Sequence, residues 1–137
     1  MNFIKDWFDN IESKTSGGWN KTITVIGECR RHTGPSIWFA SLEVEFAPNS
    51  QFEVSNKLKP EVGKLIQERG WYEYIVFGIL DVMLTTPHAP IKNFKLTINQ
   101  VEFNETESNQ MAFRLAARNA ASKALDLYFQ KQKNQRD

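Results

Sequence analysis

With 137 residues, 41% of them hydrophobic and 24% charged, the chain has the length and composition of one soluble globular domain. Its 17 basic and 16 acidic side chains give a net charge of +1, which argues against a protein that binds nucleic acid through a large basic excess. The single cysteine, Cys29, excludes an internal disulfide framework and is typical of a reducing compartment, so we expect a cytoplasmic protein.

The sequence shows neither a secretory signal nor a membrane span. Asp6 and Asp9 interrupt the first apolar residues. The longest apolar stretch, residues 75–84, is too short to cross a bilayer and contains Asp81. No membrane partner is therefore expected.

The first predicted element is an amphipathic helix over residues 2–13, followed by a flexible joint that ends at Gly18. Its apolar side chains recur at three- and four-residue spacing and share one face: Phe3, Ile4, Trp7, Phe8 and Ile11. A helix of this length is unstable in water unless that face is buried. We expect it to pack back on the domain or against a second copy. The alternative is a docking helix for another protein.

Three strands are predicted after this joint. The first two cover residues 21–30 and 36–46 and form a long hairpin with Arg30, Arg31 and His32 at its tip. A short third strand is expected over residues 51–55. On the second strand, polar side chains alternate with apolar ones, which predicts a sheet with one buried and one solvated face.

The second half of the chain predicts helices at residues 60–69 and 71–84, a strand at 92–103 and a last helix at 108–130, capped by Thr106 or Ser108. Alanines recur every four residues along the last helix, so this face is expected to approach the sheet or a neighbouring helix closely, with Gly78 as a candidate facing residue. The element order predicts an α+β two-layer sandwich over residues 19–130, in which a four-stranded sheet carries two main helices on one face. Residues 131–137 are expected to form a polar tail.

Several segments, in this order, resemble one known family. Residues 34–44 contain a proline turn that leads into an aromatic strand, and Pro90 begins a link into the next strand. The acidic, serine-containing loop at residues 107–110 precedes the run Met-Ala-Phe-Arg-Leu-Ala-Ala at residues 111–117. Together they resemble the fourth domain of translation elongation factor G and of the tetracycline ribosomal protection proteins.

The resemblance covers about residues 21–129 and implies the fold of the second domain of a small-subunit ribosomal protein, with a left-handed βαβ crossover. In those factors this domain enters the ribosomal decoding site. Because the sequence contains no phosphate-binding Gly-Lys-Ser/Thr loop, the resemblance implies a non-enzymatic stand-alone module in translation, associated with the ribosome or structured RNA and without a cofactor. The alternative is a protein–protein interaction domain that reuses the scaffold without RNA.

The resemblance also implies that the hairpin tip and the loop after the fourth strand lie at one end and contact RNA. The candidate contact residues are Arg30, Arg31, His32, Thr33, Asn104, Glu105 and Thr106. Arginine would bind phosphates, and histidine would stack on bases or hydrogen bond to them. The alternative is a solvated turn, because three basic residues are a small electrostatic footprint and nearby acids oppose it.

No catalytic or metal site is predicted. His32 and His88 are the only histidines, and neither has metal-ligand partners at a workable spacing. Cys29 and His32 would point to opposite faces of a strand, so Cys29 is expected to be a small core residue rather than a nucleophile. The Glu43 and Glu45 pair is expected to be a solvated stripe rather than a general acid–base pair.

Overall fold

The computed structural model describes residues 19–34, 36–86 and 90–135. The predicted helix over residues 2–13, with Phe3, Trp7, Phe8 and Ile11, lies outside the described residues, and so does His88. No helix in the described ranges is long and apolar enough to cross a membrane.

The described chain contains four strands and three helices, in an order that confirms the predicted α+β arrangement. They are β1 (Ile23–Thr33), β2 (Ser36–Pro48), β3 (Glu53–Asn56), α1 (Pro60–Glu68), α2 (Trp71–Met83), β4 (Phe94–Glu102) and α3 (Gln110–Gln135). Helix α3 continues beyond its predicted end at residue 130, because no proline or glycine follows to stop it.

Helix α3 begins later than predicted, and its cap is a different residue. The Asn109 side-chain oxygen accepts a hydrogen bond from the backbone N–H of Ala112 at 2.8 Å, which makes Asn109 the N-cap. The predicted caps, Thr106 and Ser108, are wrong, because their hydroxyl groups donate to other partners.

The four strands form one mixed sheet in the order β1-β2-β4-β3. Strands β1 and β2 form an antiparallel hairpin from Ile23 opposite Phe46 to Thr33 opposite Ser36. Strand β4 is antiparallel to β2 and parallel to β3. A parallel neighbour needs a crossover connection, and α1 and α2 supply it. Gly34, at φ +63°, closes the hairpin in a backbone conformation that favours glycine.

The helices cover one face of the sheet, as predicted. Alternate side chains of three strands are buried on that face: Ile23, Val25, Cys29, Leu42, Val44, Phe46, Phe94, Leu96 and Ile98. The residues between them face away from the helices and are mostly half-buried or exposed. A bulge at Asn99 interrupts the pairing of β2 with β4, and its side-chain amide donates to Glu43 Oε2 at 3.2 Å.

Two glycines let α3 approach its neighbours on both sides. A Cβ atom on Gly78 of α2 would lie 2.6 Å from the Cβ of Ala117, and one on Gly27 of β1 would lie 2.6 Å from the Cβ of Ala120. Real Cβ atoms do not approach that closely, so both positions require glycine at this spacing. The predicted contact of Gly78 with the alanine face is confirmed, and Gly27 makes the equivalent contact from the sheet.

Strand β1 lies at an edge of the sheet, and α3 satisfies part of that edge. The Asn119 side-chain oxygen accepts from the backbone N–H of Glu28 at 3.1 Å. The Lys123 ammonium donates to the backbone oxygen of Ile26 at 2.9 Å. These side chains occupy backbone groups that would otherwise be free to pair with a further strand.

An ion cluster ties α2 to α3. Asp81 accepts two hydrogen bonds from Arg114, at 2.8 and 2.9 Å, and one from Arg118 at 2.8 Å. Burial alone would raise the pKa of Asp81, but the two arginines outweigh it and hold that pKa below its ordinary value. The cluster therefore keeps Asp81 ionised at neutral pH and fixes the spacing of the two helices.

Candidate nucleic-acid interface

The loop after β4 lies against the hairpin, at the end of the molecule where the sequence placed both. Pairing of β2 with β4 ends at Ser41 opposite Glu102. Beyond it, the Phe39 backbone N–H donates to the Glu107 oxygen at 3.0 Å. The Ser108 hydroxyl donates to the Phe39 oxygen at 2.6 Å. The loop thus replaces β4 as the neighbour of β2 near the hairpin tip.

Asn104 organises this loop. Its side-chain oxygen accepts from the backbone N–H of Thr106 at 2.9 Å and from the Thr106 hydroxyl at 2.7 Å. Its backbone oxygen accepts from the N–H groups of Glu107 and Ser108, at 3.1 and 2.8 Å. An asparagine that closes a turn through its own side chain gives the loop a fixed shape before any partner binds.

A groove of about 480 Å³ separates the hairpin from this loop. Arg30, Arg31 and His32 of β1 line it together with Trp38 of β2, and Asn104 and Glu107 line it from the loop. The structure therefore brings together most of the predicted contact residues around one groove, and Trp38 contributes an aromatic ring to its lining. Glu105 and Thr106 are exposed in the loop and do not line the groove, and Thr33 is the last residue of β1.

The two arginines of the hairpin differ in how they are held. The Arg30 Nε lies 2.9 Å from Glu28 Oε2, and its guanidinium carbon lies 4.7 Å from the centre of the Phe39 ring. Arg31 is exposed and makes no ion pair within residues 19–34, 36–86 and 90–135. Arg31 is therefore the hairpin cation that is most readily available to an anionic partner.

Arg69 is a further cation at this end that the sequence did not predict. Its Nη2 lies 4.0 Å from Glu105 Oε1, and its guanidinium carbon lies 5.3 Å from the centre of the Trp71 ring. The Gln110 side-chain amide also donates to the Arg69 backbone oxygen at 3.4 Å. Nothing in the local pattern places the joint between α1 and α2 beside the loop after β4, so sequence periodicity could not have found it.

The outer face of the sheet has the opposite electrostatic character. Its acidic side chains outnumber its bases, and most come from β1 and β2: Glu28, Glu43, Glu45 and Glu53. Lys95 pairs with Glu53 at 3.9 Å and offsets one of them. A nucleic-acid backbone would be repelled across this face, which favours the hairpin end over the outer sheet face as an anion-binding surface.

Cys29 has the environment of a core residue. It is buried, at 6% exposure, and burial raises the pKa of its thiol, although nearby Arg31 acts in the opposite direction. A buried thiol with a raised pKa is a poor nucleophile. In the described part of the chain, no three His, Cys, Asp or Glu side chains are close enough together to hold a metal ion.

The sheet order, the helices on one face and the paired hairpin and loop define a two-layer α+β domain. The family model for elongation factor G, domain IV, matches residues 19–127. The chain therefore belongs to the elongation factor G domain IV family, which confirms the resemblance seen in the sequence.

A solved structure supports the same fold. The crystal structure of a protein from Thermus thermophilus superposes with a TM-score of 0.67 at 20% sequence identity, over 76% of this chain. This chain spans only 16% of the length of that protein. No curated protein matches the sequence.

Proposed function

We propose that this domain is a non-enzymatic binding module of translation, located in the cytoplasm, that contacts the ribosome or structured RNA through its hairpin end. Family membership supports the link to translation. The observation that carries the proposal is Arg31, an exposed cation without an ion pair in the described residues, beside a loop whose shape Asn104 fixes. Its neighbours in the groove include an aromatic ring, which suits unpaired bases.

The charge distribution supports one orientation of the partner. Acidic side chains on the outer sheet face oppose RNA there, while Arg30, Arg31 and Arg69 are all at the hairpin end. RNA is therefore expected to meet the domain end-on, with phosphates near Arg31 and an unpaired base near Trp38. A footprint of this size is small, so binding is expected to be weak, with a slope of log K against log salt no steeper than about −3.

The experiment is co-sedimentation with purified ribosomes at two salt concentrations. Arg31→Ala is expected to weaken binding about threefold to tenfold at low salt and to reduce the slope of log K against log salt by about 1. Lys64→Ala is the matched control, because Lys64 is an equally charged, exposed side chain on α1. An equal loss of ribosome binding in both variants, or no loss in either, would count against the hairpin end as the contact surface.

A second candidate function is a protein-interaction domain without RNA binding. Ile37 favours it, because this large apolar side chain is 42% exposed beside the same groove. Binding of a protein partner at this surface would be abolished by Ile37→Asp. The same binding would not depend on salt and would be unchanged by Arg31→Ala. The pair of variants therefore separates the two functions in one assay.

A further inference from the structure

A groove lies far from the hairpin tip, between β1 and the C-terminal half of α3. Its volume is about 530 Å³, which exceeds that of the hairpin-end groove. Ile26 of β1 and Leu127 of α3 line it and are 51% and 41% exposed, and the rest of the lining includes the charged residues Glu43, Lys123 and Asp126. Two large apolar side chains that are this exposed at one groove offer a candidate contact for another apolar element.

The spacing along α3 singles out Leu127. Asn119 and Lys123 are four residues apart, and each satisfies a backbone group at the edge of β1. Leu127 is the next residue in this row, but its side chain has no hydrogen-bonding group and faces the groove near Thr24. On this face of α3, Asn119 and Lys123 hydrogen bond to the edge of β1, whereas Leu127 contributes an apolar surface.

The chain enters the fold beside this groove. The Trp19 ring stacks on Tyr128 with 4.4 Å between ring centres, and its indole N–H donates to the Phe46 oxygen at 3.3 Å. Tyr128 also donates to the Asn20 side chain at 3.0 Å. Residues 1–18 are therefore tethered at the helical turn that carries Leu127.

We propose that the groove lined by Ile26 and Leu127 binds the N-terminal segment of the same chain, residues 2–13, through the apolar side chains Phe3, Trp7, Phe8 and Ile11. These residues share one face if the segment is helical, and their burial needs an apolar surface close by. The proposal does not depend on RNA binding, because it concerns the other end of the molecule.

The length of the tether favours the segment of the same chain over a second copy. Thr24 is at most about 18 Å from Trp19 along an extended chain, and residues 14–18 span a similar distance. The linker is therefore long enough to return residue 13 to the groove. A short tether gives an effective concentration on the order of millimolar, well above that of a second copy in a micromolar solution.

The first test is limited proteolysis of the full chain with chymotrypsin, followed by mass spectrometry of cleavage after Trp7 and Phe8. Leu127→Asp is expected to increase the rate of these cleavages roughly tenfold, because the charge opposes docking and exposes the segment. Met111→Asp is the matched control, since Met111 is also 41% exposed on α3 but lies outside this groove. Equal rates in the wild type and both variants would overturn the proposal.

The second test distinguishes the same chain from a second copy. In a Cys29→Ala background, Phe8→Cys is combined with Leu127→Cys, or with Met111→Cys as the control, and each pair is treated with a short bismaleimide. The proposal expects a cross-linked monomer with Leu127→Cys only. A cross-linked dimer would assign the groove to a second copy and overturn it. Equal cross-linking in both pairs, or none in either, would also overturn it.

Discussion

The two ends of β1 show how this small domain separates folding from binding. Around Gly27, the strand is in direct contact with α3, and its edge groups at Ile26 and Glu28 are held by α3 side chains. Beyond Cys29, the strand carries exposed cations and is held mainly by its pairing with β2. The first region permits almost no change in volume, whereas the second makes few contacts that folding requires.

The largest expected effect is at the contact of the strand with α3. Gly27→Ala is expected to lower the free energy of unfolding by about 2–4 kcal/mol, because its Cβ would overlap the backbone oxygen of Ala116 and the Cβ of Ala120. Urea unfolding followed by circular dichroism measures it. Gly63→Ala on α1 is the control, since nothing lies within 4 Å of its Cβ, and it is expected to stabilise the protein by about 0.5–1 kcal/mol. Similar stabilities for Gly27→Ala and Gly63→Ala would contradict the close contact between β1 and α3.

The next effect concerns the ion cluster that joins α2 to α3. Asp81→Asn is expected to cost about 1–2 kcal/mol at pH 7, because Arg114 and Arg118 lose their charged acceptor. The pKa of Asp81 is lowered by folding, so its contribution is present above its unfolded value of about 3.9 and is lost as pH falls through the folded value. Unfolding measured from pH 7 to pH 2 should therefore show the wild type and the variant converging below about pH 4. A constant difference across that range would be inconsistent with this assignment.

The smallest expected effect is a change in ribosome binding at the hairpin end. Glu28→Gln removes the acidic partner of Arg30, so it is expected to increase ribosome binding about twofold to threefold at low salt. Its effect on stability is expected to stay within about 0.5 kcal/mol, because both side chains are exposed. Co-sedimentation and urea unfolding of the same preparation measure both quantities. Reduced binding in this variant would indicate that Glu28 itself contacts the partner.

Much of the fold could be predicted because it depends on local periodicity. Alternation along β2 predicted a sheet with one buried face, and the alanine spacing on α3 predicted a close contact with Gly78. The ordered motifs also identified the family, which the match over residues 19–127 confirms.

The parts that sequence reasoning missed depend on residues that are distant in the chain. Arg69 reaches the hairpin end only because the joint between α1 and α2 packs beside the loop after β4. The residues next to Gly27 in the sequence give no sign of a close contact, and only the position of α3 shows why it has no side chain. Asn109 lies close to Thr106 and Ser108, and all three are residue types that cap helices. The periodicity of the helix does not indicate which of them is the N-cap.

The close packing of α3 against β1 and α2 has a consequence for protein engineering. Because glycine and alanine contacts position this helix from both sides, the scaffold does not rely on the hairpin residues for its geometry. A library that keeps Asn104 and randomises positions 30–32, 105 and 106 should therefore yield mostly folded members, from which reagents against new targets could be selected.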